Sequence, residues 1–418
     1  MIRCHASWVL PISGPPLRDG WVAIDSGRVV ACGRGDRRGL SFEAARDVDL
    51  GHVAILPGLV NAHTHLELSH LAGRVPSGPT FVSWIRTVMA ARRDHPHPDA
   101  PDILTAAERA IVHALRCGTA LVGDISNTLV THGPLIKSPL AAVVFLELIG
   151  FNPTDPVAVV EGALEAVRAA QGDDRVRSRL AVHAPYSVAP SVFRAIRQAL
   201  ERERLSPCSV HLAESAEESQ FIRDGGGPWR GVLEEVGAWN TSWSPPGVGP
   251  VEYLDRMGFL DRDVLAVHGV QMTATDLATL ARRGTTLVAC PRSNAFTAAG
   301  RPPIAAFYAS GVRVAVGTDS LASAPDLNVF SELAAMRALA PSVPASRLLD
   351  SATRQGADAL GFGDDYGRID PGTRARLLAI DVPASVDDVE EYLVSGIHPD
   401  QVRWVDGDIA EGRVQSAE

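Results

Sequence analysis

The sequence predicts an α/β chain: a (β/α)8 TIM-like barrel at the centre, with a small β-sandwich formed by both termini. Three observations predict it. The middle of the chain alternates eight short apolar runs with helical patterns. Most of these runs end in chemically useful polar residues, which is where a barrel strand presents its site. The two ends of the chain hold short strands broken by Gly and Pro and lack helical period. An open doubly wound sheet is the alternative. It is disfavoured because no Gly-x-Gly-x-x-Gly follows the first strand.

The elements follow in chain order. Residues 1–56 carry short strands such as 21–24 (Trp-Val-Ala-Ile) and 28–31 (Arg-Val-Val-Ala). The eight barrel runs are 53–65, 119–126, 141–150, 180–187, 209–215, 264–271, 285–294 and 312–320. Helical patterns lie between them at 102–117, 156–171, 191–204 and 273–284. The last opens on Thr273, a good N-cap, and closes on Gly284, a good C-terminal stop. Residues 225–250 are long, irregular and rich in Gly, Pro, Ser and Trp, as functional loops often are. From 368 onwards short strands return at 376–380 and 402–405, followed by Gly407. Only the acidic stretch 386–393 reads as helical there. Residues 1–56 with 368–418 are therefore expected to form the sandwich, and 57–367 the barrel.

Composition narrows the function classes. The chain has 418 residues, 46% of them hydrophobic, and a formal net charge of −10, enough apolar residues for a large core. With no basic stripe, nucleic-acid binding by phosphate neutralisation is not expected. Five cysteines, Cys4, Cys32, Cys117, Cys208 and Cys290, are spread without a C-x-x-C, so they read as buried packing residues in a reducing compartment. No apolar run approaches the 18 or so residues of a membrane span. The expectation is a soluble, cytoplasmic protein with a small-molecule partner, a homodimer being the one assembly left open.

The chemistry begins at His63 and His65. Two side chains one residue apart on a strand point to the same side, so both imidazoles reach one metal ion. Further polar residues end later strands: His183 the fourth, His211 with Glu214 the fifth, His268 the sixth and Asp319 the eighth. Three histidines and an aspartate make a nitrogen–oxygen site suited to zinc or ferrous iron, with room for water. Glu214 lies three residues beyond His211. Strict alternation would put it on the opposite face, so the chain must turn after Leu212 for Glu214 to reach the site.

Six motifs stand in order along the chain: Pro57-Gly58-Leu59-Val60-Asn61-Ala62-His63-Thr64-His65, His183-Ala184-Pro185-Tyr186-Ser187, His211-Leu212-Ala213-Glu214-Ser215, Val267-His268-Gly269, Cys290-Pro291-Arg292-Ser293-Asn294 and Gly317-Thr318-Asp319-Ser320. On these motifs the chain resembles the amidohydrolase superfamily, in its deaminase and chlorohydrolase branch. The resemblance implies one divalent metal ion, zinc before iron, held by His63, His65, His211 and Asp319. It implies catalytic roles for Glu214 as proton shuttle, His268 beside the developing oxyanion, and Asp319. It makes His183 a substrate-binding residue. Binuclear relatives bridge two metals through a lysine on the fourth strand. The only lysine here is Lys137, between the second and third strands, so one metal is expected. The presence of Glu214 favours deamination of an aminoheterocycle over hydrolysis of a C–Cl bond or a cyclic amide. A metal-free relative that has lost catalysis is disfavoured, because every ligand position is intact.

The loops point to a substrate by resemblance alone. The stretch 65–69 and the segment 81–92 resemble aminodeoxyfutalosine deaminases, and less closely the adenosine, S-adenosylhomocysteine and methylthioadenosine deaminases. Glu67 either caps the following loop or faces substrate. Trp84 shares helical spacing with Phe81, Ile85 and Val88, the pattern of a packed face, and doubles as a candidate lid residue over the substrate. Arg292 faces the pocket or pairs with an acid. Because a futalosine-type substrate carries a benzoate, Arg74, Arg86, Arg292 and Arg301 are candidates to meet it.

Overall fold

The computed structural model describes residues 1–35, 46–170 and 172–405. The chain divides into two compact units. One comprises Met1–Asn61, Val112–Leu121 and Asn328–Glu418, the other Ala62–Ile111 and Val122–Leu327. Gly407 lies outside the described residues.

The first unit contains a seven-stranded sheet drawn from both termini. Its N-terminal strands are β1 (Ile2–Val9), β2 (Leu17–Asp25), β3 (Arg28–Arg34), β4 (Arg46–Asp49) and β5 (Val53–Pro57). The barrel strands follow: β6 (Leu59–Thr64), β7 (Thr119–Ser126), β8 (Ala141–Leu148), β9 (Val176–Val182), β10 (Cys208–Leu212), β11 (Val264–His268), β12 (Thr286–Ala289) and β13 (Arg313–Val316). The chain then returns to the terminal sheet as β14 (Leu377–Asp381) and β15 (Val402–Val405). The terminal strands are hydrogen-bonded in the order β15-β14-β5-β1-β2-β3, with β4 also on β1. Alternate residues of β1, β2, β5 and β14, among them Cys4, Val22, Ile24, Val53, Ile55, Leu377 and Ala379, share one core.

The apolar run 53–65 is two strands, not one. Its first half, β5, pairs with β1 and β14, and its second half, β6, joins the barrel sheet. Gly58 separates them at a close approach: a Cβ there would stand 2.5 Å from the Cβ of Ala120 and 3.1 Å from the carbonyl oxygen of Arg376. Gly58→Ala is therefore expected to destabilise the protein by about 1–3 kcal/mol through overpacking. Gly162 lies within a helix with nothing near its missing Cβ. A denaturant midpoint for Gly58→Ala, with Gly162→Ala as the tolerated control, measures the difference.

The eight barrel strands are parallel neighbours in sequence order from β6 to β13. Strands buried on both faces read as unbroken apolar runs, and β7, with all eight residues buried, is such a strand. The sheet closes where the first strand meets the segment after the eighth. The amides of Thr318 and Asp319 both donate to the carbonyl of His63, each at 3.1 Å, and Thr64 bridges to Asp319. Gly317 permits this, because a Cβ there would lie 2.8 Å from both the Cβ and the carbonyl oxygen of His63.

The helices include α1 (Phe81–Arg93), α2 (Pro101–Arg116), α3 (His132–Lys137), α4 (Pro156–Ala169), α5 (Pro190–Glu203), α6 (Ala216–Asp224), α7 (Pro228–Glu235), α8 (Pro250–Arg256), α9 (Ala274–Arg283) and α10 (Pro291–Phe296). In α9, Thr273 and Asp276 form a reciprocal capping box and Gly284 stops the helix at φ +72°. The stretch 225–250 is less irregular than its composition suggests, because it contains α7 and the start of α8. Its tryptophans pin it down: Trp243 stacks on Phe221 with centroids 4.8 Å apart, and Trp239 stacks on Phe151. All five cysteines are free thiols. Among the described residues no helix is long and apolar enough to cross a membrane.

Candidate functional site

The strand ends of the second unit bring His63, His65, His183, His211, Glu214, His268 and Asp319 together. The ring of His63 lies 4.9 Å from those of His65 and His211 and 5.6 Å from that of His268. Among the described residues three sets of side chains have ligand atoms within 4.8 Å of one another: His63, His211 and His268; His63, His65 and Asp319; and Glu147, His183 and His211. His63 belongs to the first two. It is fully buried, and neither of its ring nitrogens has a hydrogen-bond partner. Buried polar atoms in native proteins are nearly always paired. An imidazole orphaned beside a carboxylate and further imidazoles fits a metal ligand.

The neighbours fix which atoms face the cluster. Asp319 Oδ2 accepts hydroxyls from Ser293 at 2.5 Å and Ser323 at 3.0 Å. Its Oδ1 is left 3.4 Å from His65 Nε2 and 3.7 Å from His63 Nε2. His211 Nδ1 lies 3.0 Å from the carbonyl of His183, which can only accept, so Nδ1 carries the proton and Nε2 presents its lone pair. Glu147 Oε1 stands 3.3 Å from the same Nδ1. His268 Nδ1 lies 2.9 Å from the side-chain Nδ2 of Asn294, so it accepts, and Nε2 carries the proton at 3.4 Å from Glu214 Oε1. The Ser187 hydroxyl donates to the Ala184 carbonyl, so His183 Nδ1, 2.6 Å from that hydroxyl, donates to it. His183 Nε2 is then an acceptor.

Burial sets the charges. It holds His183 down at about 4, helped by Arg92 and His63. It holds His211 at about 4 as well, with His63 and His183 acting against Glu147. Burial likewise keeps His65 and His268 well below the usual histidine range. Those four imidazoles are therefore held in the neutral form, the form in which an imidazole can bind a metal. Burial alone would raise Asp319, but His63, His65 and His268 outweigh it and keep it ionised. Glu214 goes the other way. Burial, then the charges of Asp319 and Glu218, push its carboxyl well above the usual range, so it retains a proton.

The turn that Glu214 requires is present. β10 ends at Leu212, and Ala213 takes φ +52°, which swings Glu214 to His268. His268 and Asp319 also sit at positive φ, +78° and +59°. Left-handed backbone is unfavourable for residues with a Cβ and collects at functional sites.

Of the other expected residues, Glu67, Arg292 and Arg86 are held by protein partners. Glu67 is buried. Its Oε2 accepts from Ser126 Oγ, Asn127 N and Thr128 Oγ1, and its Oε1 pairs with Arg92 at 3.2 Å. These contacts are those of a loop-fixing residue. Trp84 is buried beside Phe81 with its indole nitrogen unpartnered. Ile85, expected on the same packed face, is half-buried. Arg292 pairs with Asp326 at 2.8 Å, and Arg86 is held by both carboxylate oxygens of Glu235. Arg74 and Arg301 are exposed. Arg92, which was not singled out, is the arginine whose charge is felt at His183.

Three buried carboxylates were also missed. Glu147 in β8 supports His211. Asp124 in β7 accepts the amide of Leu66, just past His65, at 2.8 Å. Glu218 accepts the amides of Ala213 and Glu214. A lone acid inside an apolar run was the available signal for the first two, and Ser215-x-x-Glu218, a helix-start pattern, for the third.

Residues 54–409 match the amidohydrolase family. The chain is 29% identical to a 5-methylthioadenosine/S-adenosylhomocysteine deaminase of Moorella thermoacetica, over 98% of this chain and 92% of that one. The structure of a zinc-bound adenosine deaminase from Xanthomonas campestris aligns with a TM-score of 0.82 at 28% identity, covering 96% and 90% of the two chains. That of Helicobacter pylori aminofutalosine deaminase, in complex with methylthio-coformycin, aligns with a TM-score of 0.85 at 26% identity, covering 97% and 98%.

Proposed function

This chain belongs to the amidohydrolase family, and on that premise we propose that it is a metal-dependent hydrolytic deaminase of a purine-like nucleoside, releasing ammonia. The observation that carries the reading is Glu214: a buried carboxyl pushed well above its usual range, beside His268 and at the edge of the cluster around the unpartnered His63. His63, His65, His211 and Asp319 would hold one divalent ion, zinc in the first instance. When bound, such an ion supplies Lewis-acid activation of water at neutral pH.

The chain's own residues do the rest. Asp319 Oδ1, left free by the two serines on Oδ2, takes the proton of the attacking water. A C–O bond forms at the ring carbon that bears the amino group. Glu214 delivers its proton to the adjacent ring nitrogen, which avoids a ring anion. His268 Nε2–H donates to the charge that develops on the new oxygen. Asp319 passes the proton it took to the amino group, the C–N bond breaks and ammonia leaves, and the new hydroxyl gives up its proton to Glu214 as the C=O forms. His183, with Nε2 as an acceptor, binds an N–H or O–H of the substrate.

The favoured substrate is 6-amino-6-deoxyfutalosine, supported by the likeness to the H. pylori enzyme across nearly all of both chains. A second reading, deamination of adenosine, methylthioadenosine or S-adenosylhomocysteine, is supported by the Moorella and Xanthomonas relatives. A panel of these four compounds, with ammonia release as the signal, tests both. The highest kcat/KM is expected for aminodeoxyfutalosine. Preference for one of the other three moves the assignment to the second reading, and no ammonia from any related aminopurine ends the deaminase reading.

A further inference from the structure

We infer that Glu218 is a positioning residue whose carboxylate holds the turn that carries Glu214 to the reacting ring, an inference that rests on the proton-shuttle reading of Glu214. Period-two alternation directs a residue three beyond His211 away from the site. Glu214 reaches His268 only because the chain reverses at Ala213, in left-handed backbone that a residue with a Cβ adopts at a penalty. Something must hold that backbone. The two amides of the turn, those of Ala213 and Glu214, donate to the two oxygens of one side chain: Glu218 Oε1 at 3.0 Å and Oε2 at 2.8 Å.

Glu218 is suited to this. It is fully buried, and it sits in the first turn of α6, where its own amide is capped by Ser215 Oγ at 3.2 Å. The side chain therefore springs from a fixed point. On the far side, the carbonyl of Ala213 accepts from Gln271 N at 2.8 Å, three residues past His268. The turn is thus clamped to α6 by one group and to the end of β11 by another. A carboxylate is the side chain that accepts two consecutive amides at once. Glutamine has one oxygen to offer and turns an NH2 towards the second amide. Alanine leaves both buried donors unpaired.

The test is a double-mutant cycle read on the best substrate of the panel. Glu218→Gln is expected to lower kcat by about 10–100-fold, the scale of a catalytic group displaced by an ångström, with KM within about threefold and metal content unchanged. In the Glu214→Gln background the same change is expected to add nothing, because Glu218 acts through Glu214. An equal loss in both backgrounds, or a kcat within about twofold of the parent, overturns the inference. Failure of the shuttle reading shows separately, as an unimpaired Glu214→Gln. In that case a crystal structure decides. With Glu218→Ala, or Glu218→Gln should the alanine variant not fold, Ala213 is expected to leave the left-handed region and the Glu214–His268 contact of 3.4 Å to open. Persistence of both features overturns the positioning role.

Discussion

Glu214→Gln binds metal as the parent does and loses turnover by about 10²–10⁴-fold, the usual range for removing a general acid–base group. The substitution is isosteric, so the cluster of His63, His65, His211 and Asp319 is undisturbed. Glutamine still donates a hydrogen bond but has no proton to transfer. The effect is large because burial, then Asp319 and Glu218, push this carboxyl well above the usual carboxylate range, so that it can act as a proton donor. A proton donor works only below its own pKa. The parent's kcat should therefore fall as pH rises through the elevated pKa of Glu214, and the variant should lack that alkaline limb. Metal analysis beside a pH–rate profile measures both. A variant with full metal and the parent's rate would remove Glu214 from the chemistry.

Much of the fold was readable in the sequence because barrel strands buried on both faces cannot hide: each of the eight apolar runs holds a strand. The same burial explains the misreading of 53–65. Its two halves are equally apolar, so hydropathy carries no trace of the change of sheet at Gly58. Only the Pro57-Gly58 dipeptide marked it. The histidines were readable because they end strands. Their supports were not. Whether Glu67 faces a substrate or a loop depends on Ser126, Asn127 and Thr128, more than fifty residues away. The positive φ values at Ala213, His268 and Asp319 fall on residues other than glycine, so no local signal announces them. Asp124, Glu147 and Glu218 act through backbone amides and ring nitrogens that only the folded chain supplies.

His63→Ala is expected to abolish turnover and, with it, the stabilisation that zinc confers. In the metal-free parent, a fully buried imidazole with neither nitrogen bonded is itself unfavourable, by about 1–3 kcal/mol for each unpaired group. Alanine removes that penalty and leaves a cavity, which is unfavourable by a similar or larger amount. The two effects oppose, so the metal-free variant should melt close to the metal-free parent. With metal the two diverge. Zinc at about a thousand times its dissociation constant adds about 4 kcal/mol to a protein that binds it only when folded. The parent gains this. The variant does not, because His63 is the residue common to the His63–His211–His268 and His63–His65–Asp319 groups, and its loss separates them. Thermal unfolding of both proteins, after chelation and again with zinc restored, reads the difference directly. A zinc-induced rise in the variant equal to that of the parent would place the metal elsewhere. No rise in the variant, beside a clear rise in the parent, ties the orphaned nitrogens of His63 to the ion they are arranged to hold.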